Sequence, residues 1–243
     1  MLIMVDDKFP ELRDELIGSF AWYYVSCTLI LLWGLLLGPE WCFWGGVIDA
    51  FVGMLFFGVV FPNAAVNPIY LVPRVITKEM SNDRFALRFL ASGVGACVAV
   101  IVACLPFPSY TLSWLQASGP RTEPLSWIEP FLVEGLFSFG LVGLSLVLAT
   151  MESQRQMTEW MRRLIFSAVV TVATIIGGPL TGAVFNPIGL LATTNGYVFI
   201  LTLSGALVYV ICPYVAALLC AHLYYNSSSS SSSTHAKDSR KLR

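Results

Sequence analysis

The sequence predicts an all-α membrane protein with six transmembrane helices and two re-entrant half-helices, arranged as two inverted repeats. Three observations support this fold class. First, 56% of the 243 residues are hydrophobic and only 12% are charged, a composition whose apolar surface a soluble core of this size cannot hide. Second, the chain contains several apolar runs of membrane-spanning length. Third, one set of motifs occurs twice at a constant offset.

Six apolar runs of about 20 residues are each long enough to cross a hydrocarbon core of about 30 Å. They lie near residues 16–37, 43–62, 85–105, 130–150, 163–181 and 197–222. Residues 1–8 carry two acids and lack the basic segment and cleavage site of a signal peptide. We therefore expect the first helix to insert uncleaved.

The chain repeats itself from the first run to the last. Glu15 and Asn67 recur 119 residues later as Glu134 and Asn186. The same offset pairs several apolar and small residues: Leu29 with Leu148, Gly58 with Gly177, Ala64 with Ala183 and Leu71 with Leu190. An internal repeat in so apolar a chain is typical of channels and transporters. The repeat divides the chain into a first half (1–120), a second half (121–225) and a tail (226–243).

The cationic residues predict the orientation. Of the 14 Lys and Arg residues, all but Arg121 fall at the two ends of the chain or in the loops after the second and fourth spans. An excess of Lys and Arg marks the cytoplasmic side, so both termini are predicted to be cytoplasmic. Each half contains three spans, an odd number, and the two halves must therefore be inverted relative to each other.

Two Asn-Pro pairs are predicted to begin half-helices. Asn67-Pro68-Ile69 and Asn186-Pro187-Ile188 each lead into an apolar stretch too short to span the membrane. A single Asn-Pro is usually only a turn. However, nine or ten helical residues cover about 15 Å, half the hydrocarbon thickness. Because Asn is a favoured N-cap and Pro a favoured first helical residue, we expect half-helices over 67–76 and 186–194.

Inversion of the halves would bring the N-termini of the half-helices together near the membrane midplane. Two positive dipole ends and two carboxamides there would favour neutral molecules with oxygen acceptors and repel cations. The irregular backbone before each Asn is tolerable at that depth only if it is buried or lines a watery path. Exposed carbonyls in these loops would then complete a single-file hydrogen-bond ladder.

Glu15 and Glu134 are predicted to anchor the loops. A carboxylate inside a membrane helix costs at least a few kcal/mol unless it has partners, and backbone N–H groups of a re-entrant loop would supply them. The alternative is that Glu15, close to Arg13, lies at the membrane interface. Glu134 weakens this alternative because it lies about five residues inside the fourth run.

The remaining motifs predict no chemistry. The tail, with seven consecutive serines, is expected to be disordered and cytosolic. The six cysteines show no paired spacing and the two histidines are isolated, so we predict no metal site and no cofactor. No nucleophile and base pair or phosphate loop suggests an enzyme, and the lipid bilayer rather than a nucleic acid is the expected partner.

From Glu15 to about Tyr224 the sequence resembles the aquaporin, or major intrinsic protein, family. The segment Glu15-Leu-Ile-Gly-Ser-Phe20 is similar to the family's first-helix motif, and Thr181-Gly-Ala-Val-Phe-Asn-Pro187 is similar to its second Asn-Pro-Ala loop. The resemblance implies a passive channel for water and small neutral solutes such as glycerol or hydrogen peroxide. It also implies a homotetramer with one pore in each subunit.

The departures from the family pattern concern the pore. Both copies read Asn-Pro-Ile where the family usually has Asn-Pro-Ala, so the half-helices must pack differently. The resemblance assigns the selectivity constriction to Val47, Thr174, Ala183 and Gly189, with Gly189 in place of the family's arginine. Such a set predicts a wider and less polar constriction than in a strict water channel. Ala183 also stands where many relatives have the cysteine that mercurials block.

These departures resemble the unorthodox branches of the family, the superaquaporins and the small basic intrinsic proteins, many of which reside in intracellular membranes. The C-terminal Arg-Lys-Leu-Arg243 loosely resembles a dilysine retrieval signal. The endoplasmic reticulum or another intracellular membrane is therefore an expected location, and the plasma membrane stays open.

Two other functions stay open at this point. A structural or junctional protein could retain the fold and lose conductance, as the replacements at Ile69, Ile188 and Gly189 allow. A coupled secondary transporter shares inverted repeats and broken helices, but it would normally place further ionisable groups at the midplane.

Overall fold

Helices form most of the described backbone. The computed structural model of the protein describes residues 10–38, 41–106, 128–182, 185–191 and 203–241. In chain order its helices are α1 (Pro10–Leu37), α2 (Cys42–Val60), a 3-10 turn (Pro68–Leu71) continued by α3 (Val72–Ile76), α4 (Asn82–Cys104), α5 (Ile128–Ser153), α6 (Glu159–Thr181), α7 (Pro187–Leu191), α8 (Leu203–Ala206), a π-helical turn (Leu207–Ile211) and α9 (Cys212–Lys241).

Within the described residues, six helical segments are long and apolar enough to cross a membrane. The predicted all-α membrane fold class is therefore confirmed. Helices α4 and α6 begin a few residues before their apolar runs because their N-caps are polar. Ser81 Oγ accepts a hydrogen bond from the backbone N–H of Arg84 at 3.3 Å at the start of α4, and Thr158 Oγ1 accepts one from Met161 N–H at 3.3 Å at the start of α6.

The long helices pack in corresponding pairs in the two halves. Helix α1 packs against α4 and α2, and its repeat counterpart α5 packs against α9 and α6, while α2 and α6 contact each other across the two halves. The contact of α1 with α4 is close because Gly95 has no side chain. A Cβ at this position would lie 2.4 Å from the Leu16 carbonyl oxygen, so only glycine permits this approach.

Both Asn-Pro pairs begin short helical segments between long helices. The first comprises the 3-10 turn and α3, which together cover 68–76, and the second is α7. The sequence predicted half-helices over 67–76 and 186–194, of which residues 192–194 lie outside the described residues. Ile69 and Ile188 are both fully buried. Ile69 packs in a cluster with Val142 and Ala217, whereas Ile188 packs in a separate cluster with residues of α1 and α4.

The end of the chain differs from the sequence prediction. The sequence predicts a disordered tail from residue 226, whereas α9 continues through the serine run to Lys241. Once a helix is nucleated, each added residue needs only propagation, and the run contains no Gly or Pro that would stop it. The predicted boundary between the halves, at 120/121, lies outside the described residues.

Candidate functional site

The residue before each Asn-Pro pair has a left-handed backbone conformation. Val66 has a φ of 56° and Phe185 a φ of 38°, and the two positions are equivalent in the repeat. A non-glycine residue in this region costs about 1–3 kcal/mol, and a β-branched residue such as valine is an unusual occupant. The turn points the N–H of each residue toward a buried glutamate and its carbonyl toward the other half of the chain.

Glu15 binds the first loop. Its side chain is completely buried and accepts hydrogen bonds from the backbone N–H groups of Ala65 at 3.1 Å and Val66 at 2.8 Å. Arg88 donates to the same carboxylate through Nη2 at 2.6 Å and Nε at 2.9 Å, and Ser92 Oγ donates at 2.7 Å. The charge of Glu15 is thus compensated inside the bundle.

The sequence places Arg88 among the cations of the loop after the second span, but in the structure Arg88 does not lie in a loop. It lies inside α4, is 3% exposed and also donates through Nη2 to the Asn63 carbonyl at 2.5 Å. A sequence signal for this role exists, because a buried Glu15 requires a cation. Arg88 and Ser92 are four residues apart and therefore share one helix face.

Glu134 binds the second loop through other groups. It is also completely buried and accepts hydrogen bonds from Thr181 Oγ1 at 2.6 Å and from the backbone N–H of Phe185 at 2.8 Å. Tyr209, on the π-helical turn, donates its hydroxyl hydrogen to the Thr181 carbonyl at 3.0 Å. The residue that matches Arg88 in the second half is Leu207, so the two anchors are not chemically equivalent.

The two Asn side chains cap their own half-helices and reach across to the opposite half. Asn67 Oδ1 accepts a hydrogen bond from Ile69 N–H at 3.2 Å, and Asn186 Oδ1 accepts one from Ile188 N–H at 3.0 Å. Asn67 Nδ2 donates to the Phe185 carbonyl at 2.9 Å.

The reciprocal hydrogen bond is also present, since Asn186 Nδ2 donates to the Val66 carbonyl at 3.3 Å. The repeat thus forms a single reciprocal arrangement in which each cap contacts the strained residue of the other half. Of the loop carbonyls expected from the sequence to act as acceptors, those of Val66 and Phe185 each accept one of these amide hydrogens and have a second lone pair.

Asn186 has a further partner that the sequence analysis missed. Its Nδ2 also donates to the hydroxyl oxygen of Tyr23, on α1, at 2.8 Å. An aromatic residue in an apolar span is usually a packing residue, and its partner here is far away in the sequence. The only available signal was that a buried phenol normally requires a hydrogen-bond partner.

The four residues assigned to the constriction lie on different elements and differ in burial. Gly189 follows Asn186 on α7 and is half-buried; a Cβ built there would lie 3.6 Å from the Tyr23 hydroxyl oxygen. Val47 is buried on α2 and Thr174 is half-buried on α6. The Thr174 hydroxyl donates to the Val170 carbonyl of its own helix at 3.0 Å. Ala183 lies outside the described residues.

Residues 14–225 match the family described as Major intrinsic protein. The chain belongs to this family. The crystal structure of the aquaglyceroporin from Plasmodium falciparum superposes with a TM-score of 0.69, at 16% sequence identity, and the alignment covers 88% of this chain and 94% of that one. At this identity the likeness establishes the fold alone. No curated protein matches the sequence significantly.

In this major intrinsic protein a cavity of about 270 Å³ lies beside the first loop. Its wall includes Ala64 and Ala65, just before the strained Val66, together with aromatic side chains of α2, α6 and the first half-helix. Arg163 and Glu159, which form a salt bridge at the start of α6, lie at the same cavity. The cavity therefore joins a charged end of the bundle to the loop that precedes Asn67.

Asp49 is a second ionisable residue that the sequence analysis missed. It lies in the α2 span, is 7% exposed and accepts a hydrogen bond from Ser26 Oγ of α1 at 2.6 Å. The signal was present, since a carboxyl group seven residues inside an apolar run always requires an explanation. In the structure its described hydrogen bond links α1 to α2.

Proposed function

We propose that the protein is a passive channel for water and small neutral solutes such as glycerol and hydrogen peroxide. Its family consists of membrane channels, and the aquaglyceroporin whose fold it shares supports the same class of function. The observation that carries the proposal is the reciprocal pair of hydrogen bonds from Asn67 to Phe185 and from Asn186 to Val66. These bonds join the caps of the two half-helices at one place between the halves.

Permeation through this arrangement requires no conformational change and no chemical reaction. Two helix N-termini that meet produce a local positive potential, which repels cations, including hydronium. At the same place the Asn67 carboxamide has a second N–H hydrogen, which can bind the oxygen atom of a neutral molecule. A molecule that passes in single file exchanges a hydrogen bond to bulk water for this donor.

Glu15 and Glu134 act in this proposal as positioning residues. Each holds the N–H of the strained residue before the Asn, through Val66 in the first half and Phe185 in the second. Without these bonds the strained backbone would relax, and the carbonyls that orient the opposite Asn side chains would turn away.

The constriction would consist of Val47, Thr174, Ala183 and Gly189. This set has no fixed cation, and Gly189 leaves space where relatives place an arginine. We therefore expect glycerol to pass as well as water. We further propose that both termini are cytoplasmic, that the protein is a homotetramer, and that it resides in an intracellular membrane such as the endoplasmic reticulum.

The test is stopped-flow light scattering on proteoliposomes of the purified protein, under gradients of an impermeant osmolyte and then of glycerol, with peroxide entry followed by an enclosed dye. Each experiment is repeated after ionophores have collapsed the proton and sodium gradients. We expect flux well above that of protein-free liposomes and no effect of the ionophores.

Two results would contradict it. Folded, correctly inserted protein without flux above the lipid background would indicate a structural role. Solute flux that disappears with the ion gradients would indicate a coupled transporter.

A further inference from the structure

The second half-helix cap differs from the first in one hydrogen bond. Each Asn carboxamide has two N–H hydrogens. Asn67 donates one of them to the Phe185 carbonyl, and the described residues offer no acceptor for the other. Asn186 donates to the Val66 carbonyl and also to the Tyr23 hydroxyl oxygen, at 2.8 Å. Both of its hydrogens are therefore bound within the protein.

Among the described residues this bond is present in the second half alone, and the repeat explains the difference. The residue equivalent to Tyr23 in the second half is Val142, which is fully buried and has no polar atom in its side chain. Tyr23 is 6% exposed and packs in the same cluster as Ile188. Its ring is thus held by apolar neighbours, with the hydroxyl directed at Asn186.

The sizes of the surrounding residues are exchanged between the halves. Position 189 is glycine, and its equivalent in the first half is Tyr70, which packs against the cluster that contains Val142. The first half therefore combines a large residue after its Asn with valine on the long helix, and the second half combines Gly189 with Tyr23. A Cβ at 189 would lie only 3.6 Å from the Tyr23 hydroxyl oxygen, so the phenol lies beside the position from which a filter side chain would extend.

We propose that the Tyr23 hydroxyl restricts permeation by occupying the Asn186 hydrogen that would otherwise bind the passing molecule. This inference rests on the proposed channel function. The midplane then offers one amide donor, from Asn67, instead of two. A molecule at Asn186 loses hydrogen bonds to bulk water without a replacement, and the barrier to its passage rises.

The test is the Tyr23→Phe variant in the same proteoliposome assay. Phenylalanine keeps the ring and removes only the hydroxyl group, which frees the Asn186 hydrogen. We expect osmotic water permeability per protein to rise about fivefold, the factor that one net hydrogen bond typically contributes to an equilibrium. The matched control is Tyr24→Phe, since Tyr24 is 38% exposed on the same helix and its loss of a hydroxyl should leave the permeability unchanged.

The outcomes separate this inference from the channel proposal. A wild-type protein that conducts and a Tyr23→Phe variant that conducts equally or more slowly would overturn the inference alone. A wild-type protein near the lipid background with a conducting Tyr23→Phe variant would support it, with the phenol as a nearly complete block. No flux in the wild type or in either variant would overturn the channel proposal and the inference with it.

Folding of the variants is checked by circular dichroism and gel filtration before reconstitution. Should Tyr23→Phe fail to fold, Tyr23→Leu also removes the hydroxyl group, and the same increase in permeability is expected. An unchanged permeability in a folded Tyr23→Leu protein would contradict the inference as directly as in the phenylalanine variant.

Discussion

Val66 shows how one backbone conformation connects three parts of the site. Its N–H binds Glu15 at 2.8 Å, its carbonyl accepts from Asn186 at 3.3 Å, and its φ of 56° is what allows both at once. The strain of about 1–3 kcal/mol is offset by the buried, charge-compensated hydrogen bonds on Glu15. Phe185 has the same role in the second half, with Glu134 as the acceptor.

Arg88→Leu tests the charge compensation of Glu15. The change leaves a fully buried carboxylate without its cation, which typically costs about 3–5 kcal/mol. We expect the free energy of unfolding in detergent to fall by this amount. The control is Arg84→Leu on the same helix: Arg84 is half-exposed and its pair with Glu11 is 4.0 Å long, so it should change stability little. Equal effects of the two variants would contradict this role of Arg88.

Gly189→Arg tests whether the glycine sets the size of the constriction. A Cβ at 189 meets only ordinary contacts, at 3.5 Å and 3.6 Å, so a side chain can start there without displacing the backbone. We expect glycerol flux to fall about tenfold, or about 1.4 kcal/mol of added barrier, and water flux to fall less. Gly189→Ala adds bulk without charge or reach and should leave the ratio of the two fluxes close to wild type. An unchanged ratio in the arginine variant would show that residue 189 lies away from the path.

The sequence predicts the secondary-structure elements that depend on local signals. The six apolar runs and the two Asn-Pro caps depend on composition and on neighbouring residues, and both correspond to observed helices. The pairing of Glu15 with Arg88 and of Asn186 with Tyr23 joins residues far apart in the sequence. Such pairs depend on how the helices pack, which neither hydropathy nor capping rules specify.

The π-helical turn Leu207–Ile211 positions one such distant contact. It places the Tyr209 hydroxyl against the Thr181 carbonyl at the end of α6. Tyr209→Phe removes this donor from a buried carbonyl, and we expect a loss of about 1–3 kcal/mol in the free energy of unfolding. Tyr214→Phe, in the following helix, is the matched control.

The Tyr214 hydroxyl is buried, and no partner for it exists among the described residues. Its removal should therefore leave stability unchanged or slightly raised. A Tyr209→Phe protein as stable as Tyr214→Phe would show that the turn does not hold the second loop.

The two halves of the molecule share one arrangement of residues and differ in its chemistry. Both use a buried glutamate, a strained residue and a capping Asn. Among the described residues, an arginine binds the glutamate of the first half and a phenol binds the Asn of the second half. The sequence predicted the shared arrangement because the repeat displays it directly. It did not predict the differences, because a substitution within a repeat does not reveal its new partner.

Truncation tests where the functional molecule ends. The family match stops at residue 225, and Tyr224 still contacts the bundle through a hydrogen bond of 2.6 Å to Thr150. Removal of 228–243 should therefore leave both the unfolding transition and water flux unchanged. Truncation after Leu219 removes the Tyr224 contact and should abolish folding. Loss of flux in a folded protein that lacks only residues 228–243 would show that this segment is required for function.

The most direct test of the channel account is the water permeability of Asn67→Asp and Asn186→Asp proteoliposomes. Aspartate has nearly the same size as asparagine, but it replaces the N–H donors with a charge beside the carbonyls of Phe185 and Val66. Asn82→Asp, an exposed change at the start of α4, is the matched control. We expect both pore variants to lose most of the flux while the control retains it. Flux that persists in either pore variant at the wild-type rate would contradict a path between the two caps.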